Sequence, residues 1–445
     1  MSKTAKRVGV ITMGCSKNLV DSEVLMRRLE DVGYSVVVEP SEDDLGPDDI
    51  VVINTCGFIG DAKEESVNEI LAWCERLKNG KVGEVRVMGC LSERYRSELP
   101  AEIPEVTAWY GKTDWSRLVA DLARRNPATA PYDRVITTPS HHAYLKIAEG
   151  CNRFCAFCAI PLITGRYRSR RRDEILDEVR MLVGRGVREF NVIAQDLSGY
   201  GADLGPLNPG QLSPLAALVD AIADIPGVDW IRLHYAYPAG FPMDLLDVMA
   251  RRPNVCKYID IALQHIADPV LTNMRRHIDT KATRELLAEM RRRVPGLHIR
   301  TTLMVGFPGE GPREFDELLD FVREQRFERM GAFAYCEEED TFAARNLADD
   351  IPQEEKQRRL DRLMALQEEI SDEIQQTKVG QTLRVIVDRR ESDFMVGRTQ
   401  WDSPEVDPEV MIALPDGREL KRGEFYNVKI TSASPFELMA EIADD

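Results

Sequence analysis

The chain predicts an α/β protein in three parts: an N-terminal doubly wound parallel α/β domain, a central partial (β/α)6 barrel and a small C-terminal antiparallel β-barrel. Three observations carry this. Strand-like and helix-like stretches alternate up to about residue 125. From about residue 137, six further strands are paired with helices. After about residue 378 the pattern becomes short β segments separated by turns. The expected boundaries are 6–125, 137–376 and 378–445.

In the first part RVGVITMG reads as a strand, SEVLMRRLEDVG as a helix and DIVVINT as a second strand. A helix from about Asp61 to Lys78 and a third strand, VRVMG, follow. RRNPATAPYDR, rich in Pro and Ala, is the linker out of this part. Next come the strands AYLKIA, REFNVIA, WIRLHYA, YIDIAL, IRTTLMV and RMGAFAY, with helices such as SPLAALVDAIADI and REFDELLDFVREQ between them. A charged helical stretch from Pro352 to about Gln376 closes the block, and its EEKQRRLDRL reads as a solvated outer face. LRVIVDRR, FMVGRTQ and FYNVKITSAS, with PDG-type turns, make up the third part.

With 43% hydrophobic and 30% charged residues, the chain is globular rather than disordered, and its 445 residues are enough for several cores. No apolar run reaches membrane-spanning length, and the N-terminus lacks the apolar core of a secretory signal. A cytoplasmic location and no membrane partner are therefore expected. In a reducing compartment nine cysteines are metal ligands, nucleophiles or core residues rather than disulfides. The net charge of -17 repels phosphate backbones on average and attracts basic proteins. Residues 376–445 are acidic too, with 9 Lys or Arg against 14 Asp or Glu.

EGCNRFCAFCAIP places Cys151, Cys155 and Cys158 in eight residues. A structural zinc site is tetrahedral and closed, and the nearby His141 and His142 precede the strand that leads into this loop. A 4Fe-4S cubane normally takes four cysteines; held by three, it keeps one iron open to a ligand that is not protein. Cys15, Cys56 and Cys90 each directly follow a predicted strand. They would share the carboxyl-terminal edge of a parallel sheet, where ligands bind, and so could converge on a second cluster. One such cysteine would read as a small buried hydrophobe, but three at the same structural address favour a cluster. Cys74, Cys256 and Cys336 lack partners at ligand spacing and read as packing residues or bystanders.

The C-x3-C-x2-C spacing after a first barrel strand resembles the radical S-adenosylmethionine (SAM) superfamily. That resemblance implies a cluster whose open iron is chelated by the cofactor and whose electron releases a 5′-deoxyadenosyl radical. It also makes Gln195 and Asp196 (FNVIAQD), Gln264 and His265 (IALQH), and Gly306, Gly309 and Glu310 (GFPGE) candidates for holding the cofactor at the barrel mouth.

Over essentially its whole length the chain resembles the methylthiotransferases, which join an N-terminal cluster domain, a radical SAM barrel and a C-terminal TRAM domain. The six cysteines fall on that family's ligand positions. Cys151, Cys155 and Cys158 match the radical-generating 4Fe-4S cluster, and Cys15, Cys56 and Cys90 match the auxiliary one. GCSKNLVDSE and NTCGFIGDAKEES look like the RimO branch, which modifies an aspartate of ribosomal protein S twelve. The implied reaction uses one SAM for methyl transfer to sulfur and a second for hydrogen abstraction from the aspartate β-carbon. That carbon has no acidic proton, so a radical cofactor is needed. Catalytic residues beyond the cluster ligands are not expected. The implied partners are ribosomal protein S twelve, free or on the ribosome, and an electron donor such as a flavodoxin or ferredoxin; tRNA is not expected. Gly311-Pro312 departs from the family's threonine-rich continuation of GFPGE. Two rivals stand beside this reading. One is a tRNA methylthiotransferase acting on isopentenyladenosine, for which Arg166, Arg168, Arg170, Arg171 and Arg172 would form the binding stripe. The other is a non-catalytic two-cluster electron-transfer protein.

Overall fold

Strands apolar on both faces need helix layers above and below, and the first sheet is built from them. β1 (Arg7–Thr12), β2 (Ser35–Val38), β3 (Ile50–Thr55), β4 (Glu84–Gly89) and β5 (Ala108–Trp109) lie in the order β2-β1-β3-β4-β5, all parallel. Every residue of the central β3 is buried. The computed structural model describes residues 6–41, 43–123, 132–206, 210–414 and 420–443; residues 124–131 of the expected linker and the expected PDG turn at 415–417 lie outside them. The edge strands β2 and β5 have only four and two residues, too few to show a period. The first helix runs Ser16–Asp31 and so begins six residues earlier than its apolar pattern predicts. Its first turns bury Lys17, Asn18, Ser22 and Glu23, which hides the periodicity.

The second sheet comprises β6 (His142–Lys146), β9 (Glu189–Ile193), β10 (Trp230–Ala236), β11 (Val255–Gln264), β12 (His298–Val305) and β13 (Arg329–Ala334). These strands pair in chain order, all parallel, and β6 and β13 do not pair with each other. The result is the expected partial barrel. Between β6 and β9, the short strands β7 (Ala148–Glu149) and β8 (Arg168–Ser169) pair antiparallel and pinch the base of the loop that carries Cys151.

β14 (Thr382–Glu391), β15 (Phe394–Thr399), β16 (Glu409–Ala413), β17 (Phe425–Ser434) and β18 (Glu437–Ile442) close a third unit in the order β14-β15-β16-β18-β17. Its pairings are antiparallel except β16 with β18, which is parallel. This small barrel sits under the amino-terminal ends of the second sheet. Glu189, which opens β9, is bonded to Arg398 at 2.7 Å, and Arg329, which opens β13, to Asp402 at 2.5 Å. Trp230 of β10 meets Phe425 edge-on at 4.8 Å, and His298 of β12 stacks on Trp401 at 4.6 Å. His141 is bound here as well, to Asp388 at 2.7 Å. The strand ends that carry the cysteines are therefore left free on the opposite side.

The charged helix Gln353–Gln376 departs from its expected solvated role. It packs against β13 and buries Lys356, Arg359, Leu363, Gln367 and Ile370, a set at helical spacing. Arg359 Nη1 donates to Glu310 Oε1 at 2.7 Å, and Lys356 Nζ to the Tyr335 carbonyl at 3.2 Å. Charge along the sequence concealed this inward face because its buried cations are all satisfied. Gly311-Pro312 opens the helix Pro312–Gln325, with the Gly311 amide donating to Glu314 Oε2 at 3.0 Å and Pro312 in the first turn. Among the described residues no helix is long and apolar enough to cross a membrane.

The buried group Glu189, Arg232, Arg398 and Asp388 joins the two barrels. Burial opposes the charge on Glu189, but Arg398 and Arg232 outweigh it and hold the carboxyl at about 2. Arg398→Ala leaves Glu189 and Asp388 buried and under-paired. The expected loss is about 3–5 kcal/mol, read by chemical denaturation. Because the folded pKa is depressed, the Glu189 contribution is complete above the ordinary value of 4.5 and is lost as pH falls toward about 2. Stability measured across that window should fall more steeply in the wild type than in Arg398→Ala.

Candidate functional site

Three neighbouring strands of the first sheet, β1, β3 and β4, each end at a cysteine. Cys15 caps the helix Ser16–Asp31, Cys56 directly follows β3, and Cys90 opens the helix Cys90–Arg94. Glycine lets these loops close on one another. A Cβ at Gly14, whose φ is +91°, would lie 2.8 Å from Cys56 Sγ, and one at Gly57 would lie 2.6 Å from the Leu91 amide. Asn18 ties the loops together: its Nδ2 donates to the carbonyls of Met13 and Thr55, both at 3.0 Å. Its Oδ1 accepts from Lys112 Nζ at 2.8 Å and lies 3.6 Å from Cys90 Sγ.

Cys151, Cys155 and Cys158 stand at the carboxyl-terminal mouth of the second sheet, in the loop pinched by β7 and β8. The Ala156 amide donates to the Met274 carbonyl at 2.9 Å, and the Ala156 carbonyl accepts from the Ala343 amide at 2.7 Å, which pins the loop to two further elements. Arg276 Nη1 donates to Cys155 Sγ at 3.1 Å, and the Arg153 amide to Cys151 Sγ at 3.5 Å.

All six cysteines line one cavity of about 350 Å³, together with side chains such as Lys17, Lys112, Gln195, Tyr235 and Arg276. The two sets come from different sheets, and ion pairs hold those sheets together. Lys112 Nζ bonds Asp21 Oδ2 at 2.6 Å, Asp21 also bonds Lys146, Lys146 bonds Glu149 at 2.8 Å, and Glu149 accepts from Gln195. Leu19 and Val20 pack with Tyr144 and Ile193 across the same seam.

Gln195 lines the cavity. Asp196 is buried beside the Cys151 loop and accepts from Arg153 Nε at 2.6 Å. Gly306, Gly309 and Glu310 are not among the lining residues. Glu310 stands behind its loop, accepting from the Gly306 amide at 3.0 Å and from Arg359, with His265 Nε2 at 3.1 Å. Gln264 lines the cavity. Cys74 and Cys256 are core residues, and Cys336 is exposed away from both sets. Of the arginine run, Arg170 bonds Glu178 at 2.6 Å and Arg171 bonds Asp173 at 2.7 Å. Sequence reasoning missed Asn18, Lys112 and Arg276, and Tyr237, whose hydroxyl donates to the Arg276 carbonyl at 2.7 Å, because each acts through a contact distant in sequence. The one local signal was Asn18, three residues after Cys15.

The donor chemistry suits iron–sulfur clusters, which are held by thiolates, and each cysteine set brings three thiols to the cavity. Gln195 Oε1, Asp196 Oδ1 and Arg276 Nε are buried beside the Cys151 set without hydrogen-bond partners, so polar groups of a cofactor could be received there. The thiols differ among themselves. Burial pushes Cys151 up to about 11 and Cys90 up to about 12, and raises Cys158 further. Burial also acts on Cys15, but Lys17, Lys112 and the amides of Asn18 and Lys17 more than offset it and lower that thiol.

The chain matches the family models of the uncharacterized protein family UPF0004 over residues 7–111, the radical SAM superfamily over 145–322 and the TRAM domain over 379–443. It is 57% identical to the ribosomal protein uS12 methylthiotransferase RimO of Porphyromonas gingivalis, over 98% of this chain and 99% of that protein. It is 56% identical to the protein of the same name from Bacteroides thetaiotaomicron, over 98% of each. The solved radical SAM methyltransferase TsrM of Kitasatospora setae shares the fold, with a TM-score of 0.54 at 16% identity, over 74% of this chain and 73% of that one.

In the metal-free protein, alkylation by iodoacetamide at pH 8 should label Cys15 before Cys90 and Cys158, because the thiolate is the nucleophile. Time-resolved peptide mass spectrometry reads the order. Equal rates at the three positions would contradict the electrostatic gradient.

Proposed function

The chain belongs to the RimO family of ribosomal protein uS12 methylthiotransferases, and on that premise we propose that its six cavity cysteines hold two 4Fe-4S clusters facing a shared substrate position. It is a radical SAM enzyme with two 4Fe-4S clusters and SAM as cofactors, and it methylthiolates ribosomal protein uS12. The observation that carries the proposal is the single cavity lined by both cysteine sets. In this reading Cys151, Cys155 and Cys158 hold the cluster that binds SAM, and Cys15, Cys56 and Cys90 hold the auxiliary one. When bound, these groups supply the electron that cleaves SAM and the sulfur and methyl group that are transferred.

The protein's own work is to position, insulate and balance charge. Arg276 donates to Cys155 Sγ and so fixes where that sulfur points. Phe58, Phe157, Ile160 and Ala262 give the cavity apolar walls that keep water from the reacting carbon. Gln195 and Asp196 offer unsatisfied acceptors toward SAM, while Gly306, Gly309 and Glu310, which do not line the cavity, support it from behind by fixing the loop after β12. The acceptor on the substrate is the β-carbon of an aspartate of uS12, met free or on the ribosome. A flavodoxin- or ferredoxin-type protein supplies electrons in the cytoplasm. The division into 6–125, 137–376 and 378–445 is supported by the three family matches, each of which lies inside one part.

The test is anaerobic. Reconstituted enzyme with SAM and a reductant is offered a uS12 peptide beside isopentenylated tRNA, and both are read by mass spectrometry. A gain of one methylthio group on the peptide aspartate alone is expected; a gain on the tRNA alone would overturn the substrate assignment. Cys15→Ala, Cys56→Ala and Cys90→Ala should each abolish methylthiolation yet still form 5′-deoxyadenosine. Methylthiolation that survives in them would sink the two-cluster assignment.

A further inference from the structure

Three cations line the cavity: Lys17, Lys112 and Arg276. Lys112 is neutralised by Asp21 at 2.6 Å and bonded to Asn18. Arg276 is engaged by Cys155 Sγ and the Ala262 carbonyl. Lys17 differs. It is only 8% exposed, and among the described residues no carboxylate lies within ion-pair distance of it. Its Nζ sits 3.1 Å from the centroid of the Tyr235 ring, a neutral partner, while Asp260 and the Cys15 thiol lie within reach of its field without contacting it. A buried ammonium with no carboxylate in contact is normally completed by a ligand.

Tyr235 is an independent sign of the same site. It stands in the left-handed region with φ +62°, a strained conformation for an aromatic residue, in the last turn of β10. Its amide is held by Asp260 Oδ2 at 3.1 Å, and Arg300 lies 3.5 Å from Oδ1 of the same carboxylate. Asp260 is thus already occupied and acts on Lys17 through its field, without a contact. The strain turns the Tyr235 ring toward the cavity, beneath a lysine carried by the other sheet, two residues beyond Cys15.

We propose that Lys17, seated on Tyr235, is the specificity residue that receives the side-chain carboxylate of the substrate aspartate. The inference rests on the uS12 methylthiotransferase reading above. The β-carbon is bonded directly to the carboxyl carbon, so this ion pair fixes the reacting atom one bond from its anchor, beside Cys15. It also distinguishes aspartate from asparagine, since only the former pairs with the ammonium.

The test uses the anaerobically reconstituted enzyme with SAM and two fluorescent uS12 loop peptides, one with the target aspartate and one with asparagine in its place. Anisotropy gives Kd for each, and turnover gives KM and kcat. Wild type should bind the aspartate peptide about 10- to 100-fold more tightly, the size of a lost charge-assisted pair. Lys17→Met should erase that preference by weakening the aspartate peptide alone, and Lys17→Arg should restore most of it. Wild-type enzyme that binds both peptides equally overturns the proposal even if Lys17→Met fails to take up iron. Equal weakening of both peptides in Lys17→Met also overturns it. A loss of SAM affinity with the peptide preference intact would assign the lysine to the cofactor's carboxylate instead and overturn it likewise. Wild type that binds with the expected preference but leaves the aspartate unmodified overturns the methylthiotransferase reading, and with it the role assigned here.

Discussion

The alternating chain Lys112–Asp21–Lys146–Glu149 holds the two cysteine sets in register. Asp21 belongs to the helix that starts at Cys15, Lys146 ends β6, and Glu149 lies two residues before Cys151. Two rigid sheets are therefore pinned to each other within a few residues of each set. Charges buried in this way contribute little net stability compared with a hydrophobic seam, but they are intolerant of misalignment. For a transfer between two fixed centres that intolerance matters more than the net energy, because a displacement of about 1 Å can cost 100-fold in rate.

The acid surface and the cationic cavity work at different ranges. A net charge of -17 over 445 residues draws in a basic partner from a distance, and salt screens that attraction. Inside, the cavity is lined by cations, of which Lys17 has no carboxylate in contact among the described residues, and screening there is weak. A basic protein presenting one acidic side chain suits both fields. A polyphosphate strand suits only the inner one, and two members of the arginine run that could have served it are already bound to Glu178 and Asp173.

Much of the architecture was legible because parallel strands buried on both faces leave continuous apolar runs, as in β3 and β9. The short edge strands β2 and β5 and the late strands β16 and β18 escaped notice, being too short or too mixed to set a period. Cys15, Cys56 and Cys90 could be read as ligand candidates from position, since a cysteine after a strand of a parallel sheet has one address, and Cys151, Cys155 and Cys158 from their spacing. What escaped was everything that depends on inward-facing polar groups. Lys17, Asn18 and Glu23 hid the start of the first helix, and Lys356 and Arg359 made a packed helix look like a surface one. Polar side chains buried against distant partners carry no local signature.

The small barrel beneath the second sheet gives the enzyme a floor. Glu189, Trp230, His298 and Arg329 meet Arg398, Phe425, Trp401 and Asp402 there. All six cysteines lie at the other end of the strands, in one cavity. A protein substrate seated at that mouth therefore covers the same face by which small molecules reach the cysteines, so its docking and their traffic compete for one side of the molecule.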